Sequence, residues 1–413
     1  MLCLLPLSAA AQKEANYDEA LVPEYTLPDP LRFEDGSAVK TPEDWSRRRA
    51  ELLGLFADHV YGRTPVGRPE AMRFERLTRV EGFLDGKATM EEIRIHFAEG
   101  DDGPHLDLLV VKPARAPAGG VPAFVAMNFA GNHTLHPSTE ITLSTAWMRH
   151  SGDAVKEGLV EDHRSTEKSR GSRVSRWPVE KIVDSGVALA SFYYGDIDPD
   201  FDDGFENGIH ALFGKPGPGE WGSIGSWAWG ASRALDYLET DGDIDAGRVA
   251  VFGHSRLGKT ALWAGAQDER FAMVVSNNSG CGGAALSRRR FGERVGRINT
   301  SFPHWFTDKF KSYNENEDAL PVDQHQLVAL IAPRLVYVAS AVDDRWADPR
   351  GEFLAAKHAG PVYELLGQKG VGVAEQPPLD TPVGDRVRYH VRTGKHDVTD
   401  FDWEQYIEAI RSL

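Results

Sequence analysis

Apolar and polar positions along this chain follow two rhythms. Short runs rich in β-branched and aromatic residues fall at 92–97 and 106–111, and more strongly at 121–129, 187–194, 248–253, 271–276, 335–340 and 387–391. Each is of strand length and bounded by turn-forming residues, so each predicts a β-strand. Between the later runs the spacing changes. Ile224, Trp227, Ala228, Ala231, Leu235 and Leu238 recur at helical intervals, and 403–410 closes the chain in the same way. Near the other end, Thr41-Pro42-Glu43-Asp44-Trp45 offers an N-cap, a proline for the first helical position and acids for the first turn, ahead of Leu52, Leu53, Phe56 and Val60. Strands alternating with helices predict an α/β protein with a mostly parallel central sheet and helices on both faces. The rhythm lapses between Ala130 and Trp177, where Ser, Arg, Lys and His dominate. That stretch is too long for an ordinary connection, and it predicts a loop insertion at about 131–177 lying over a functional site. No repeat or flexible linker divides the remainder, so a single catalytic domain over 13–413 is expected.

One junction carries chemistry. The run Arg248-Val249-Ala250-Val251-Phe252 leads into Gly253-His254-Ser255-Arg256-Leu257-Gly258-Lys259 and then into the helix-like Thr260-Ala261-Leu262-Trp263-Ala264. A serine on a tight strand-to-helix turn needs small neighbours, because its backbone is forced into an unusual conformation. In return its Oγ is exposed beside the N–H groups of a helix start. This is the nucleophile position of an α/β-hydrolase fold.

Serine alone is a weak nucleophile near neutral pH, so the reading requires an imidazole base and an acid to orient it. His396 follows the last strand-like run and precedes the terminal helix, where this fold carries its base. The acid is expected after the preceding strand, where Ala341-Val342-Asp343-Asp344-Arg345-Trp346-Ala347-Asp348 offers three carboxylates. The chain order serine, acid, histidine is then the one the fold uses.

Composition narrows the partners. Acidic residues outnumber basic ones by 62 to 46, for a net charge of −16. That balance disfavours nucleic acid and anionic membrane surfaces through long-range repulsion. Residues 1–12 are apolar and end in small side chains, as a signal peptidase requires, although a basic start is missing. They predict the remnant of a signal peptide, and so a secreted or periplasmic protein. No later stretch reaches the roughly 18 apolar residues of a spanning helix. Only Cys3 and Cys281 occur, so no disulfide is expected after loss of the leader, and Cys281 in Ser279-Gly280-Cys281-Gly282-Gly283 reads as a small buried residue at a turn.

With these motifs in place the chain resembles the glucuronoyl esterases, carbohydrate esterase family 15, in their bacterial form. The likeness runs from about Trp45 onward. It rests on Gly-x-Ser-Arg-x-Gly-Lys at 253–259, on Asn128-Phe129-Ala130-Gly131-Asn132-His133-Thr134, on Ser279-Gly280-Cys281-Gly282-Gly283-Ala284-Ala285, on 297–306, and on Asp344-Arg345-Trp346-Ala347-Asp348-Pro349. The resemblance implies hydrolysis of esters between the 4-O-methyl-D-glucuronic acid branches of glucuronoxylan and lignin alcohols. It implies Ser255 as nucleophile, His396 as base, the Arg256 side chain at the oxyanion, and Lys259, Glu293 and Trp346 on the sugar. One position departs from the pattern. Many members carry a glutamate after the strand that follows the nucleophile helix, and here Asn278 stands there. An amide can orient an imidazole but brings no charge, so the acid is sought later in the chain, at Asp344 in preference to Asp343.

Other chemistries are weaker. His133 and His136 lack a zinc-site context, and Asp196 to Gly204 fails the EF-hand register, leaving a solvated acidic loop as the expectation. No cofactor or metal is implied, and a monomer is expected. Two alternatives stand beside the main reading: an acetyl xylan esterase using the same triad, and a catalytically weak carbohydrate-binding protein of the same fold.

Overall fold

The computed structural model describes residues 15–150 and 152–413. The expected leader at 1–12 lies outside them. Among the described residues ten strands form one sheet, and two more form a small hairpin. In chain order they are β1 (Arg73–Phe83), β2 (Ala88–His96), β3 (His105–Pro113), β4 (Val121–Asn128), β5 (Val160–Glu161), β6 (Arg164–Ser165), β7 (Ala188–Tyr193), β8 (Ile244–His254), β9 (Met273–Asn277), β10 (Leu335–Ala341), β11 (Val383–Gly384) and β12 (Val387–Arg392). The spatial order is β1-β2-β3-β7-β4-β8-β9-β10-β12-β11. From β7 to β12 neighbouring strands are parallel. On one side β3, β2 and β1 extend the sheet antiparallel, and on the other β11 pairs antiparallel with β12. This is the α/β-hydrolase architecture, and β5 and β6 pair only with each other inside the segment 131–177.

The parallel strands are buried on both faces because their side chains alternate between two cores. Val125 and Val251 point to the face covered by the helices Pro42–Phe56, Ser223–Leu238, Arg256–Gln267 and Pro349–Leu365; Phe124 and Phe252 point to the face covered by Val179–Asp184 and Asp400–Arg411. A period of two thus yields continuous apolar runs instead of a polar face. Fully burying one such side chain contributes about 2 kcal/mol.

Local signals set the helix ends. Thr41 Oγ1 accepts from the Asp44 N–H at 3.1 Å while Asp44 accepts from the Thr41 N–H at 3.2 Å, a reciprocal cap with Pro42 in the first turn. Among the elements that escape the pattern, two have a clear reason. β1 is an edge strand whose residues are mostly accessible and include Arg73, Glu75, Arg76, Arg79 and Glu81, so it lacks an apolar run. The helix Pro349–Leu365 contains Gly351, Gly360 and an internal Pro361. Those residues lower its intrinsic propensity, and burial of Phe353, Ala356, Val362 and Tyr363 overrides it.

Among the described residues sulfur is confined to the interior. Cys281 is buried and unpaired, and the methionines among the described residues, Met72, Met90, Met127, Met148 and Met273, are all buried.

The turn after β8 is close-packed at its glycines. A Cβ on Gly253 would lie 1.8 Å from the Leu257 carbonyl oxygen, and one on Gly258 would lie 3.0 Å from Ser279 Cβ. Since the first obstacle is backbone, Gly253→Ala is expected to destabilise the protein by about 3 kcal/mol or more. Urea unfolding of the variant checks this.

Candidate active site

The functional side chains gather at the carboxyl ends of the parallel strands: Ser255 after β8, Asn278 after β9, Asp344 after β10 and His396 after β12. That edge is where open α/β sheets place their ligands. Ser255 has φ 58° and ψ −128°, a conformation that L residues rarely adopt. It is held there by its own N–H, which donates to the Asn277 carbonyl at 2.9 Å. As the first helical residue, Arg256 has an N–H without an intrahelical acceptor.

His396 Nδ1 donates to Asp344 Oδ2 at 2.6 Å. The imidazole is part-exposed and the carboxylate buried. With Nδ1–H committed to Asp344, the lone pair of the neutral ring resides on Nε2. The same ring packs on His254, the residue before Ser255, with centroids 4.5 Å apart. Of the two aspartates in contention, Asp344 is therefore the one against the imidazole; Asp343 is exposed and offers its N–H to the Gly394 carbonyl at 3.0 Å. Asn278 is buried at φ 46°, and its side-chain amide has no hydrogen-bond partner among the described residues.

A guanidinium organises the loop that carries His396. Arg392 donates to the carbonyls of Thr393, Lys395 and Asp397 at 3.1, 2.9 and 2.6 Å. Its Nε donates to Asp402 at 2.8 Å. Burial alone would raise the Asp402 carboxyl, but the hydrogen bond from His390 and the charge of Arg392 outweigh it and hold it below the usual carboxylate range. Asn277 connects this network to the nucleophile turn, donating to Tyr406 Oη at 2.8 Å and accepting from His254 Nδ1 at 2.6 Å. Burial, reinforced by repulsion from His396, depresses His254 far below its ordinary value, so that ring stays neutral.

Arg256 is fixed by Asp200. The buried carboxylate pairs with Arg256 Nη1 and with Arg149 Nη1, the latter at 2.9 Å. It also accepts from Tyr194 Oη at 3.0 Å, His304 Nε2 at 3.1 Å and Trp305 Nε1 at 2.8 Å. Burial pushes its pKa up, yet these donors and the two guanidinium groups hold it well below the usual range. The expected solvated acidic loop is thus corrected: Asp198 and Asp200 are buried, and Asp200 is an anchor. Sequence reading missed it because its countercharges lie 51 and 56 residues away in the chain.

Glu293 interacts electrostatically with Lys259 and through its backbone with Trp346. Lys259 Nζ is buried and donates to the Ser279 carbonyl. Burial lowers its pKa while Glu293 opposes the shift; burial raises Glu293 while Lys259 and Arg256 oppose that. The Glu293 N–H donates to the Trp346 carbonyl at 2.9 Å, and Trp346 is 38% exposed. Cys281 is sealed, its thiol driven well above its ordinary value by burial and then by Glu293. His133 is occupied internally, with Nε2 2.7 Å from Ser169 Oγ. Among the described residues no cluster of three metal-ligating side chains occurs.

Sequence reading also passed over Glu352, which braces the loop after β9. Oε1 accepts from the N–H groups of Ser279 and Gly280 at 2.7 and 3.0 Å, and Oε2 accepts from Ser340 Oγ at 2.6 Å.

The chain is similar to known proteins along most of its length. A family model described as glucuronyl esterase, fungi, matches residues 174–367. Carbohydrate esterase MZ0003, from an unknown prokaryotic organism, is 50% identical over 399 residues, covering 95% of this chain and 90% of that protein. The structure of a glucuronoyl esterase from Solibacter usitatus superposes with a TM-score of 0.88 at 48% identity, covering 95% of this chain and 99% of the other. A 4-O-methyl-glucuronoyl methylesterase of Schizophyllum commune is 29% identical over 351 residues, covering 83% and 74% of the two chains. The chain belongs to the glucuronoyl esterases, carbohydrate esterase family 15, and is a carboxylic ester hydrolase.

Burial, with repulsion from Asp344, raises the Glu352 carboxyl from 4.5 to about 8, against hydrogen bonds from Ser340 and Gly280. Between those values the folded state binds more protons than the unfolded one, so this group's contribution to stability falls as pH rises through that window. Glu352→Gln is expected to flatten the decline of Tm from pH 4.5 to about 8, as followed by thermal melts across that range.

Proposed function

We propose that the protein hydrolyses the ester between 4-O-methyl-D-glucuronic acid side chains of plant glucuronoxylan and lignin alcohols, acting outside the cytoplasm. Ser255 Oγ attacks the C6 carbonyl as His396 Nε2 takes its proton, and Asp344 stabilises the imidazolium that results. The carbonyl oxygen gains charge in the transition state beside the Arg256 guanidinium and its N–H, both fixed before reaction and therefore effective at low reorganisation cost. The ester C–O bond breaks, and the departing alcohol oxygen receives the proton from His396. Water, deprotonated by the same imidazole, then releases the acid from Ser255. Lys259 and Glu293 hydrogen-bond sugar hydroxyls, and the exposed Trp346 indole covers an apolar sugar face. The observation that carries this reading is the 2.6 Å contact of His396 with Asp344 beside the strained Ser255 turn.

Among the described residues no helix is long and apolar enough to cross a membrane, which is consistent with action on extracellular polysaccharide. Likeness to a glucuronoyl esterase at 48% identity and to 4-O-methyl-glucuronoyl methylesterases favours this reading over an acetyl xylan esterase or a binding protein of the same fold.

The experiment is hydrolysis of benzyl glucuronate set against acetylated xylan. Ser255→Ala is expected to reduce turnover of the glucuronate ester to background, and Asp344→Asn to lower kcat by about 10³ to 10⁴-fold, since the amide loses the charge facing the imidazolium. Asn278→Asp should change kcat by less than about tenfold. Full activity in Asp344→Asn protein, or cleavage of acetylated xylan alone, would reject the assignment.

A further inference from the structure

Beside Arg256 the segment 131–177 encloses a cavity of about 250 Å³ that none of Lys259, Glu293 and Trp346 lines. An apolar cavity of roughly 150 Å³ is enough for benzene, so this space admits a substituted aromatic ring. One wall is apolar, built from Phe129, Met148, Leu159 and Tyr194. Phe129 ties it to the reaction centre: its ring meets His254 edge-on at 6.2 Å and lies 5.8 Å from the Arg256 guanidinium.

The charged side chains of the lining are all cationic, Arg149, Arg173, Arg176 and Arg256, set among neutral residues that include Thr134, Ser165, Ser169 and Ser172, with no carboxylate. Arg149 and Arg256 share Asp200, and Arg176 pairs with Asp397 at 2.5 Å. Arg173 makes no ion pair among the described residues. Four guanidinium groups are thus met by two carboxylates, in a protein whose net charge is −16. Such a local surplus of positive charge, set against an apolar wall, complements an aromatic anion.

We propose that this cavity receives the alcohol half of the ester and selects aromatic alcohols that carry a carboxylate, with Arg173 as the residue that reads it. The assignment rests on Ser255 attacking a glucuronate ester. The acyl group then lies toward Lys259, Glu293 and Trp346, and the alcohol, protonated by His396 as the C–O bond breaks, departs on the Phe129 side. A phenol would not serve as the anion, because its ordinary pKa near 10 leaves it neutral at neutral pH. A carboxylate is ionised there and matches the planar fork of an arginine.

The test compares glucuronate esters of benzyl alcohol, 4-carboxybenzyl alcohol and 4-(aminomethyl)benzyl alcohol, each kcat/KM being divided by the ester's alkaline hydrolysis rate to remove leaving-group electronics. The wild type is expected to favour the carboxybenzyl over the benzyl ester by about tenfold, and to disfavour the aminomethyl ester. Raising ionic strength from about 0.01 M to about 1 M should shrink that preference. Arg173→Gln should bring the ratio to within about twofold of unity, while Arg173→Lys, which keeps the charge, should retain part of it. Equal values for the carboxybenzyl and benzyl esters in the wild type, or an undiminished ratio in Arg173→Gln, would overturn the cavity assignment and leave the reaction as read. Should the glutamine variant not fold, the ranking of the three esters by the wild type decides the matter. Failure to cleave any glucuronate ester would overturn both readings.

Discussion

The arrangement at the sheet's carboxyl edge depends on one backbone constraint, the positive φ of Ser255. A side chain in that conformation is unfavourable by itself, on the order of 1–3 kcal/mol, and persists only because its surroundings over-determine it. Gly253 allows the turn to close on Leu257, Gly258 allows the helix to approach Ser279, and the Ser255 N–H is taken by Asn277 at the end of β9. The last contact matters most for the site. Through the Asn277 side chain, the conformation of the serine is mechanically tied to His254, Tyr406 and Asp402, and from there through Arg392 to the loop that bears His396.

Two buried carboxylates do the positioning. Asp402 fixes the guanidinium that grips three carbonyls around His396, and Asp200 fixes the guanidinium beside Ser255. Each is surrounded by enough donors to remain ionised despite burial, which is the condition under which a buried charge stabilises a geometry instead of disrupting it. Neither hydrogen-bonds the His396 imidazole or Ser255. Their effect is to remove freedom from groups whose placement within a fraction of an ångström decides the rate.

The strand-to-helix junction at Ser255 and the post-strand position of His396 are legible from the chain alone, because both follow from local order: an apolar run, small residues, then helical spacing. Asp344 is legible only as one of several neighbouring acids, since choosing between it and Asp343 requires knowing which side chain faces inward after β10. Asp200, Arg392, Asp402 and Glu352 are not legible. Their partners are brought close by the crossing of distant strands and helices, so no spacing rule reports them. β1 and the helix Pro349–Leu365 escape for a related reason, one being too polar at its edge and the other carrying Gly and Pro that tertiary packing overrides.

The enclosure of every described sulfur atom has a chemical consequence. Thiolates and exposed thioethers are the groups that peroxides attack first, and here the lone thiol is held protonated by its burial while the thioethers are shielded by the cores. Oxidation of these sulfur atoms must therefore wait for local opening of the fold. How fast these sulfur atoms oxidise is then governed by how often the interior breathes, and not by the chemistry of the surface.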